Sequence, residues 1–566
     1  MAIVDDLIAR GEQLAADRAG FERIWREVAA AVMPNGPDFD AAASGADGLA
    51  RPRTAERAAR IYESTGVWAG DRLSAGLESL VTPQSEKWHG LGLDDPMAPE
   101  PADEEAEWLD RLRDYLFAVR YDARAGFVEA NQQALRSLVN FGTGLVFLDE
   151  GHGAVPVHYR PMSLAECHLG VDHLGRVDTV YRRFALTARQ ALQKFGARLS
   201  PRLTAAAESE RERDRRFSFL HVVQPRADKG ARDATAAKAP FASYHVEVDE
   251  RRLVGEAGFF EFPYVDYRWQ PQPGEAYGEG PVMLALADIK TLNAMSKTAL
   301  RAGQQAVDPP LAVADDGVTN RPNLNARAIN YGAIDQNGRL RIQPIITAQR
   351  PDFAEAILDQ RRAAVRESLY VNLFQALLQN PGMTATEALI RSNEKGQLLG
   401  PAGARIQNGL ARLIEREIGI LQRKGYFEAE SGLAPPESLV GRPFGARFTS
   451  PLDRLRRANE LLGVERTLEM AARIGQVDPS VYDNLDGDEA LRLAADIAGA
   501  PRRILRREAV RDRLRQARER MAQAEAAAGL AQQFAGAAKD GIPALQALDG
   551  AGPGIAETAD ALAQPQ

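Results

Sequence analysis

Five residues able to bind metal or carry a proton crowd into one short stretch: His152, His158, Cys167, His168 and His173. Imidazole and thiolate suit zinc, but zinc sites space them as Cys-x2-Cys or His-x3-His, and this stretch does neither. The cluster therefore reads as ordinary polar residues of a β-rich segment. A phosphate-cradling loop is missing as well. The nearest Gly-Lys pairing is reversed in Lys395-Gly396, and Asp228-Lys229-Gly230 lacks the preceding glycines, so ATP hydrolysis is not expected. No Gly-x-Ser-x-Gly elbow, His-Glu-x-x-His helix or cysteine with a positioned histidine stands out. Phe141-Gly142-Thr143-Gly144 is too short for a dinucleotide fingerprint and turns a helix into a strand. The expectation is no enzyme, no metal and no cofactor.

The chemistry that spacing does allow is contact with phosphate. Lys290, Asn293, Lys297 and Arg301 recur at steps of 3, 4 and 4, which puts them on one stripe of a helix. A solvated or partner-paired face is the alternative reading of that stripe. The helix carrying it, residues 282 to 305, is apolar around most of its circumference through Val282, Leu284, Leu286, Ile289, Leu292, Met295 and Leu300, and needs neighbours on several sides. A second helix is expected over 351 to 378, opened by Pro351, with Asp352, Glu355 and Asp359 near the positive end of its dipole. Leu358, Val365, Leu369 and Leu373 form its apolar side. Between the two, Asp308 to Arg350 is rich in Pro, Gly and Asn, with β-like runs at Leu311 to Ala314 and Leu340 to Ile346.

These elements sit in a chain of 566 residues, enough for several domains. Its 70 Lys and Arg against 78 Asp and Glu give a net charge of −8, so binding of nucleic acid must rest on local patches. Ala and Arg abundance favours a mainly helical α+β chain. Cys167 is the only cysteine, so no intrachain disulfide can form and folding in a reducing cytoplasm is expected. No signal-like start and no run of 18 apolar residues occurs, so no membrane span is expected.

Helices are expected over 3 to 33 and from Ala55 to Leu80, with a flexible piece from Asp38 to Ala50 between them. The acidic stretch Asp94 to Asp114 reads as a solvated helix face. From Gly144 to Tyr267 short β runs take over: Leu145 to Leu148, Val155 to Tyr159, Val177 to Phe184, Phe217 to Val223, Tyr244 to Val248 and Phe259 to Tyr267. Ala227 to Pro240 reads as an exposed loop. Thr384 to Leu399 reads as a helix with a Thr384/Glu387 capping box, broken by Gly400-Pro401, and Ala402 to Tyr426 as another. The last helix, 502 to 530, sets Val510, Leu514, Ala517, Met521, Ala524 and Ala528 at heptad steps and carries nine Arg in 502 to 520. The tail, Phe534 to Gln566, has no periodicity and reads as disordered.

The order of several blocks resembles the portal (head-to-tail connecting) proteins of podovirus-type bacteriophages. The blocks are Ser64-Thr65-Gly66, Leu73-Ser74-Ala75-Gly76-Leu77-Glu78-Ser79-Leu80-Val81-Thr82-Pro83 with Trp88, and Phe141-Gly142-Thr143-Gly144. Tyr277-Gly278-Glu279-Gly280-Pro281, Ala287-Asp288-Ile289-Lys290-Thr291-Leu292-Asn293 and Asp308-Pro309-Pro310 follow. Thr384-Ala385-Thr386-Glu387, Leu398-Leu399-Gly400-Pro401 and Thr449-Ser450-Pro451-Leu452 complete the series, which covers about residues 55 to 455. Ser64, where an aspartate often precedes the threonine, and His89, where an aromatic is common, depart from the pattern.

The resemblance implies a homo-oligomeric ring of twelve subunits at one capsid vertex, a virion component made in the host cytoplasm. Double-stranded DNA would pass through it in packaging and ejection. Residues 1–280 would form a wing that includes the β-rich module 144–267, residues 281–305 and 351–378 the two stem helices, and 306–350 the clip between them. Residues 379–401 would be the tunnel loop region, 402–500 wing and crown helices, 501–530 a crown or barrel helix and 531–566 a disordered tail. Large terminase and later a tail adaptor would dock on the clip, and major capsid and scaffolding proteins would be partners in capsid assembly. Arg391 and Lys395, with Lys290, Lys297 and Arg301, are the channel candidates. Leu286, Ile289, Leu292, Leu358, Val365 and Leu369 are the stem candidates for contact between subunits. Twelve copies at −8 give a ring of roughly −96, a wall along which DNA slides without being gripped. The rivals are a scaffolding or tail protein without a channel, and a cytoplasmic nucleic-acid enzyme.

Overall fold

The computed structural model describes residues 2–39, 54–95, 101–226, 239–307, 351–373, 385–498 and 504–539, with the pieces 311–313 and 342–344 and positions 97, 337 and 339, and without positions 152, 154, 431 and 507. The chain divides into two compact units, Met1–Arg466 and Thr467–Gln566.

Two helices replace the single one expected over 3 to 33: α1 (Ala2–Asp17) and α2 (Ala19–Val32). The break falls at Arg18, whose buried guanidinium donates to the carbonyls of Leu164 (2.6 Å) and Cys167 (2.7 Å). The helix expected from Ala55 to Leu80 is likewise divided, into α3 (Thr54–Ala58) and α4 (Thr65–Val81). Between them the N–H groups of Tyr62 and Glu63 donate to Asn293 Oδ1 at 2.7 and 3.2 Å, which takes them out of any helical ladder. Next come β1 (His89–Leu93), α5 (Asp103–Arg120) and α6 (Phe127–Phe141). On α5 the acids Asp103, Glu104, Glu107 and Asp114 are exposed as expected, but Glu105 is buried. It accepts from the Ala102 N–H at 3.1 Å and pairs with Arg442.

The β-rich module holds β2 (Thr143–Glu150), β3 (Val157–Met162), β4 (Cys167–Val171), β5 (Val177–Thr187), α7 (Ala188–Phe195), α8 (Pro201–Glu208), β6 (Arg216–Pro225), β7 (Phe241–Glu247), β8 (Arg252–Phe259) and β9 (Tyr264–Arg268). A three-stranded antiparallel sheet runs β3-β2-β9 and a five-stranded one β4-β5-β6-β7-β8. The expected Phe259 to Tyr267 run is two strand ends parted at Pro263, which cannot donate to a ladder. Two helices inside the module were not expected, although each carries a start signal: a Thr187/Gln190 capping box and Ser200 before Pro201. On α1, Val4, Leu7, Ile8 and Leu14 pack against Tyr181, Leu220, Val222 and Tyr244 of the larger sheet, while α7 and α8 pack through Ala188, Ala191, Phe195 and Leu203 against Phe184, Phe217 and Phe219.

α9 (Pro281–Val307) matches the first expected helix of the pair. The runs near 311 and 343 pair antiparallel as β10 (Leu311–Val313) and β11 (Ile342–Pro344). α10 (Pro351–Ser368) ends ten residues short of expectation, where Tyr370 turns into the left-handed region at φ +56°, a conformation costly for a bulky residue. α11 (Ala385–Arg423) is one 39-residue helix with Pro401 inside it, so Gly400-Pro401 does not break it. Proline removes one rung of the ladder, and packing of Leu399, Ala402, Ile406, Leu410, Leu413 and Ile414 in the core holds the helix together. β12 (Phe444–Phe448), also unexpected, pairs with β1 from His89↔Phe448 to Leu93↔Phe444.

α12 (Pro451–Gly475) leads to α13 (Gly487–Ala498) and α14 (Glu508–Lys539). The last helix runs past 530, into what was expected to be tail. In the second unit Asp488 grips Arg511 at 2.9 Å and Arg515 at 2.7 Å. Val510, Leu514 and Met521 of α14 are exposed. The expected flexible piece after residue 39, most of the 227–240 loop and of 308–350, Asn380-Pro381-Gly382, Thr384 with its capping box, and the tail beyond 539 lie outside the described residues.

Candidate functional site

The helix pair α9/α10 begins at a junction of two loops that the sequence singled out separately. Gly142 ends α6 at φ +75°, donating its N–H to the Leu138 carbonyl. A Cβ there would stand 2.5 Å from the Gly278 carbonyl carbon and 2.6 Å from the Gly280 nitrogen, so the two backbones touch and only glycine fits. Thr143 Oγ1 accepts from the Gly278 N–H at 3.0 Å, and the Gly142 carbonyl accepts from the Trp269 N–H at 2.9 Å. Pro281 then occupies the first turn of α9, where its missing N–H costs nothing. Phe141-Gly142-Thr143-Gly144 and Tyr277-Gly278-Glu279-Gly280-Pro281 are therefore one structural unit that fixes where α9 leaves the core.

Three contacts hold the pair against α4 and the turn that leads into it. Gly66 and Gly70 let α4 approach closely: a Cβ on Gly66 would come 3.0 Å from Ile289 and one on Gly70 3.6 Å from Val282. Asn293 also donates to the Arg60 carbonyl at 3.0 Å. Arg362 of α10 donates twice to Glu63 Oε2, at 2.8 and 3.1 Å, while the Thr65 hydroxyl donates to Glu63 Oε1 at 2.7 Å. Burial alone would raise the Glu63 pKa; the Arg362 and Thr65 hydrogen bonds outweigh it and lower the value. Arg361 meets Asp288 at 3.1 Å between the two helices.

The expected basic stripe is mostly engaged within the chain. Lys290 pairs with Glu27 at 2.8 Å, and the Lys297 ammonium sits 4.9 Å from the centre of the Tyr62 ring. Arg301 is exposed and makes no ion pair among the described residues. Leu286, Ile289, Leu292, Leu358, Val365 and Leu369, expected to meet neighbouring subunits, are buried in the chain's own core. They close α9 and α10 onto α4 and onto each other, because an isolated pair this apolar would otherwise face water. Among the described residues, the large apolar side chains of α9 left outside are Leu284, 57% exposed, and Leu300, 54% exposed. Arg391 and Lys395 lie one turn apart on α11, and their side chains are outside the described residues.

A buried ionic cluster ties this core together, and it was not read from the sequence. Arg120 of α5 donates to Glu417 of α11 at 2.5 and 3.0 Å, and the Tyr159 hydroxyl of β3 donates to the same carboxylate. Arg120 Nη1 meets His89 Nε2 at 2.9 Å, and the guanidinium lies 4.7 Å from the Trp88 ring centre. All four polar residues are at most 2% exposed. Burial would lower the Arg120 pKa, but the Glu417 charge and hydrogen bonds raise it instead. Burial and the Arg120 charge push His89 well below its usual value, so its ring is neutral. The available signal was positional. Arg120 continues the buried Leu109, Leu112, Leu116 stripe, and Glu417 follows Leu410, Leu413 and Ile414 on theirs, so two apolar faces carry buried charges of opposite sign that can meet. His89, a departure from the expected aromatic, completes the cluster.

Residues 4–505 match the family described as bacteriophage head to tail connecting protein. The chain belongs to this family. Among its relatives, the "Probable portal protein" of Bordetella phage BPP-1 is 27% identical over 499 residues, 87% of each chain. The "Portal protein" of Salmonella phage epsilon15 is 26% identical over 546 residues, 94% of each chain. A chain from a native gene transfer agent virion aligns over 76% of this chain and 90% of its own at 14% identity and a TM-score of 0.34, too distant to argue from. The connector is thus a portal-type structural component of a phage virion, built from mixed helix and sheet. Among its described residues no helix is long and apolar enough to cross a membrane.

Proposed function

We infer that copies of this connector assemble into a ring of twelve at one vertex of a short-tailed phage capsid and form the channel for double-stranded DNA in packaging and ejection. Membership of the connector family supports this reading, and the observation that carries it within the fold is the α9/α10 pair. A 27-residue helix, about 40 Å long at 1.5 Å per residue, leaves the core. The chain then passes through the β10/β11 pair and returns on α10. In a ring, these helices serve as the stem and residues 306–350 as the clip. The clip is the surface offered to large terminase and then to a tail adaptor, while the wing faces the major capsid and scaffolding proteins. Leu284 and Leu300, exposed on α9, take the role of subunit contacts in place of the apolar residues buried in the chain's own core.

The acidic balance suits a conduit. Continuous phosphate contacts would hold DNA in place, whereas a negative wall with a few cations centres the duplex and leaves it mobile. Arg391 and Lys395 provide such a ring of cations, repeated in every subunit, and Arg301 adds a charge on α9 that meets no acid among the described residues. Neutralising Arg391 and Lys395 together should reduce DNA retention in filled particles, and unchanged retention would remove them from the channel. The oligomer itself is tested by native mass spectrometry of the purified protein. With a subunit of 61.7 kDa, a twelve-fold ring has a mass of roughly 740 kDa. A monomer at all concentrations would instead favour a connector or scaffold component without a channel of its own.

A further inference from the structure

The five-stranded sheet carries a row in register across all its strands whose three central members, on β5, β6 and β7, are polar. Cys167 lies opposite Arg182, Arg182 opposite His221, His221 opposite His245, and His245 opposite Gly255. Residues directly opposite in a ladder point to the same face. That face looks toward the three-stranded sheet, since the His221 ring lies 6.0 Å from that of Phe147 of β2, centre to centre, and 3.2 Å from the Tyr264 hydroxyl of β9. Arg160 of β3 is paired opposite Phe147 and joins the same cleft, with Lys194 of α7 at its edge.

The inner part of the cleft is satisfied and the outer part is not. His221 is held by the Tyr264 hydroxyl at 3.2 Å and the Ser243 hydroxyl at 3.0 Å. His245 stacks on His221 with ring centres 4.2 Å apart, and its nitrogens have no hydrogen-bond partner among the described residues. Arg182 donates to Glu166 at 2.8 Å, and Arg160 Nη2 to Asp149 at 3.3 Å. Arg160 Nε is buried without a partner, and Lys194 has no carboxylate partner among the described residues. Three cations thus share two carboxylates. Aromatic faces keep them from dispersing: Phe147 lies 4.7 Å from the Arg160 guanidinium, and Phe184 lies 4.6 Å from that of Arg182 and 5.5 Å from the Lys194 ammonium. Partial burial and the charges of Arg160 and Arg182 push Lys194 down to about 8. Burial, then Lys194, Arg160, Arg182 and Arg198, push His245 down to about 3, which leaves it a neutral donor or acceptor. Arg160 also lines an open cavity of about 510 Å³, shared with Arg124, His158, Asp149 and Glu150 rather than with Arg182, Lys194 or His245, so its guanidinium is reached by solvent from that side.

We propose that this cleft binds a phosphate-class oxyanion, held by Arg160, Arg182 and Lys194 with His245 as a neutral hydrogen-bond donor. An anion with several acceptor oxygens relieves the mutual repulsion of the cations and supplies partners for Arg160 Nε and His245 together, which chloride cannot do. The site lies in the β-rich module and is independent of the channel reading. Inorganic phosphate and the phosphates of a DNA strand share this chemistry.

Lysine acylation of the purified, assembled protein at pH 7.5, read by mass spectrometry, tests the site. Inorganic phosphate at constant ionic strength, or a short DNA duplex, should slow acylation of Lys194 at least threefold while other exposed lysines, such as Lys87, change little. Protection by phosphate identifies the free anion as the occupant; protection by duplex alone assigns the site to nucleic acid. In Arg160→Met, a second variant that keeps Lys194 as the reporter, the protection should disappear while ring assembly persists. No selective protection of Lys194 by either ligand, or full protection retained in Arg160→Met, overturns the proposal.

Discussion

Replacing Glu417 by Gln removes the one charge that balances Arg120 and keeps the side chain's shape. Arg120 is 0% exposed and Glu417 1% exposed, so water cannot take over the lost interaction. The neutral His89 ring and the Trp88 face remain beside the guanidinium, but neither carries the missing charge. Breaking a buried pair by removing one partner costs about 3–5 kcal/mol. At roughly 2.1 cal/mol/K per residue, the entropy of unfolding of the Met1–Arg466 unit is about 1 kcal/mol/K. The midpoint of thermal unfolding should therefore fall by about 3–5 °C, measured by calorimetry at pH 7.5. The double variant Arg120→Met/Glu417→Leu removes both charges and should be less destabilised than the sum of its single variants, because apolar replacement of a whole buried pair is close to neutral. A Glu417→Gln midpoint within 1 °C of the parent, or strict additivity in the double variant, would refute the view that this cluster is a coupled ionic knot.

Three further outcomes follow from the same contacts. His89, His168, His221 and His245 all have pKa values pushed down in the fold by burial, those of His168 and His245 to about 3. Each takes up a proton on unfolding below the ordinary value near 6.5, so its stabilisation is complete above that pH and is lost as pH falls, by up to about 1.4 kcal/mol per pH unit for each ring. Unfolding midpoints should be level from pH 7 to 8 and drop from 6.5 toward 5; a level profile down to pH 5 would contradict the neutral, buried rings. Gly142→Ala forces a left-handed alanine against the Gly278 and Gly280 backbone and should cost about 1–3 kcal/mol, with increased hydrogen exchange at the start of α9; parental exchange there would disprove the loop junction. Arg362→Gln breaks the partly exposed pair with Glu63, worth about 1 kcal/mol, so exchange in α10 should rise roughly fivefold with little change in β2.

Legibility followed the kind of signal each element carries. α9, the β10/β11 runs and most strands of the module announce themselves by periodicity, which depends on the residue and its near neighbours. The breaks at Arg18 and at Tyr62-Glu63 were not legible, because each is set by a distant group: the carbonyls of Leu164 and Cys167 in one case, Asn293 in the other. Pro401 misled in the opposite direction, since tertiary packing of α11 overrides a local breaker. Leu286 and Val365 show the limit for the candidate site. Apolar circumference reveals that a helix is surrounded, but not whether its neighbours belong to the same chain or to the next subunit. The Phe141-to-Gly144 and Tyr277-to-Pro281 blocks were visible as motifs, and only the fold reveals that they touch.

Cryo-electron microscopy of the purified full-length protein tests the channel most directly. Class averages should show rings of about twelve-fold symmetry with a central opening wide enough for a duplex, and the α9/α10 pairs should stand around it with Leu284 and Leu300 at the contacts between subunits. Monomers, open filaments or closed rings without a passage would contradict the proposed DNA conduit.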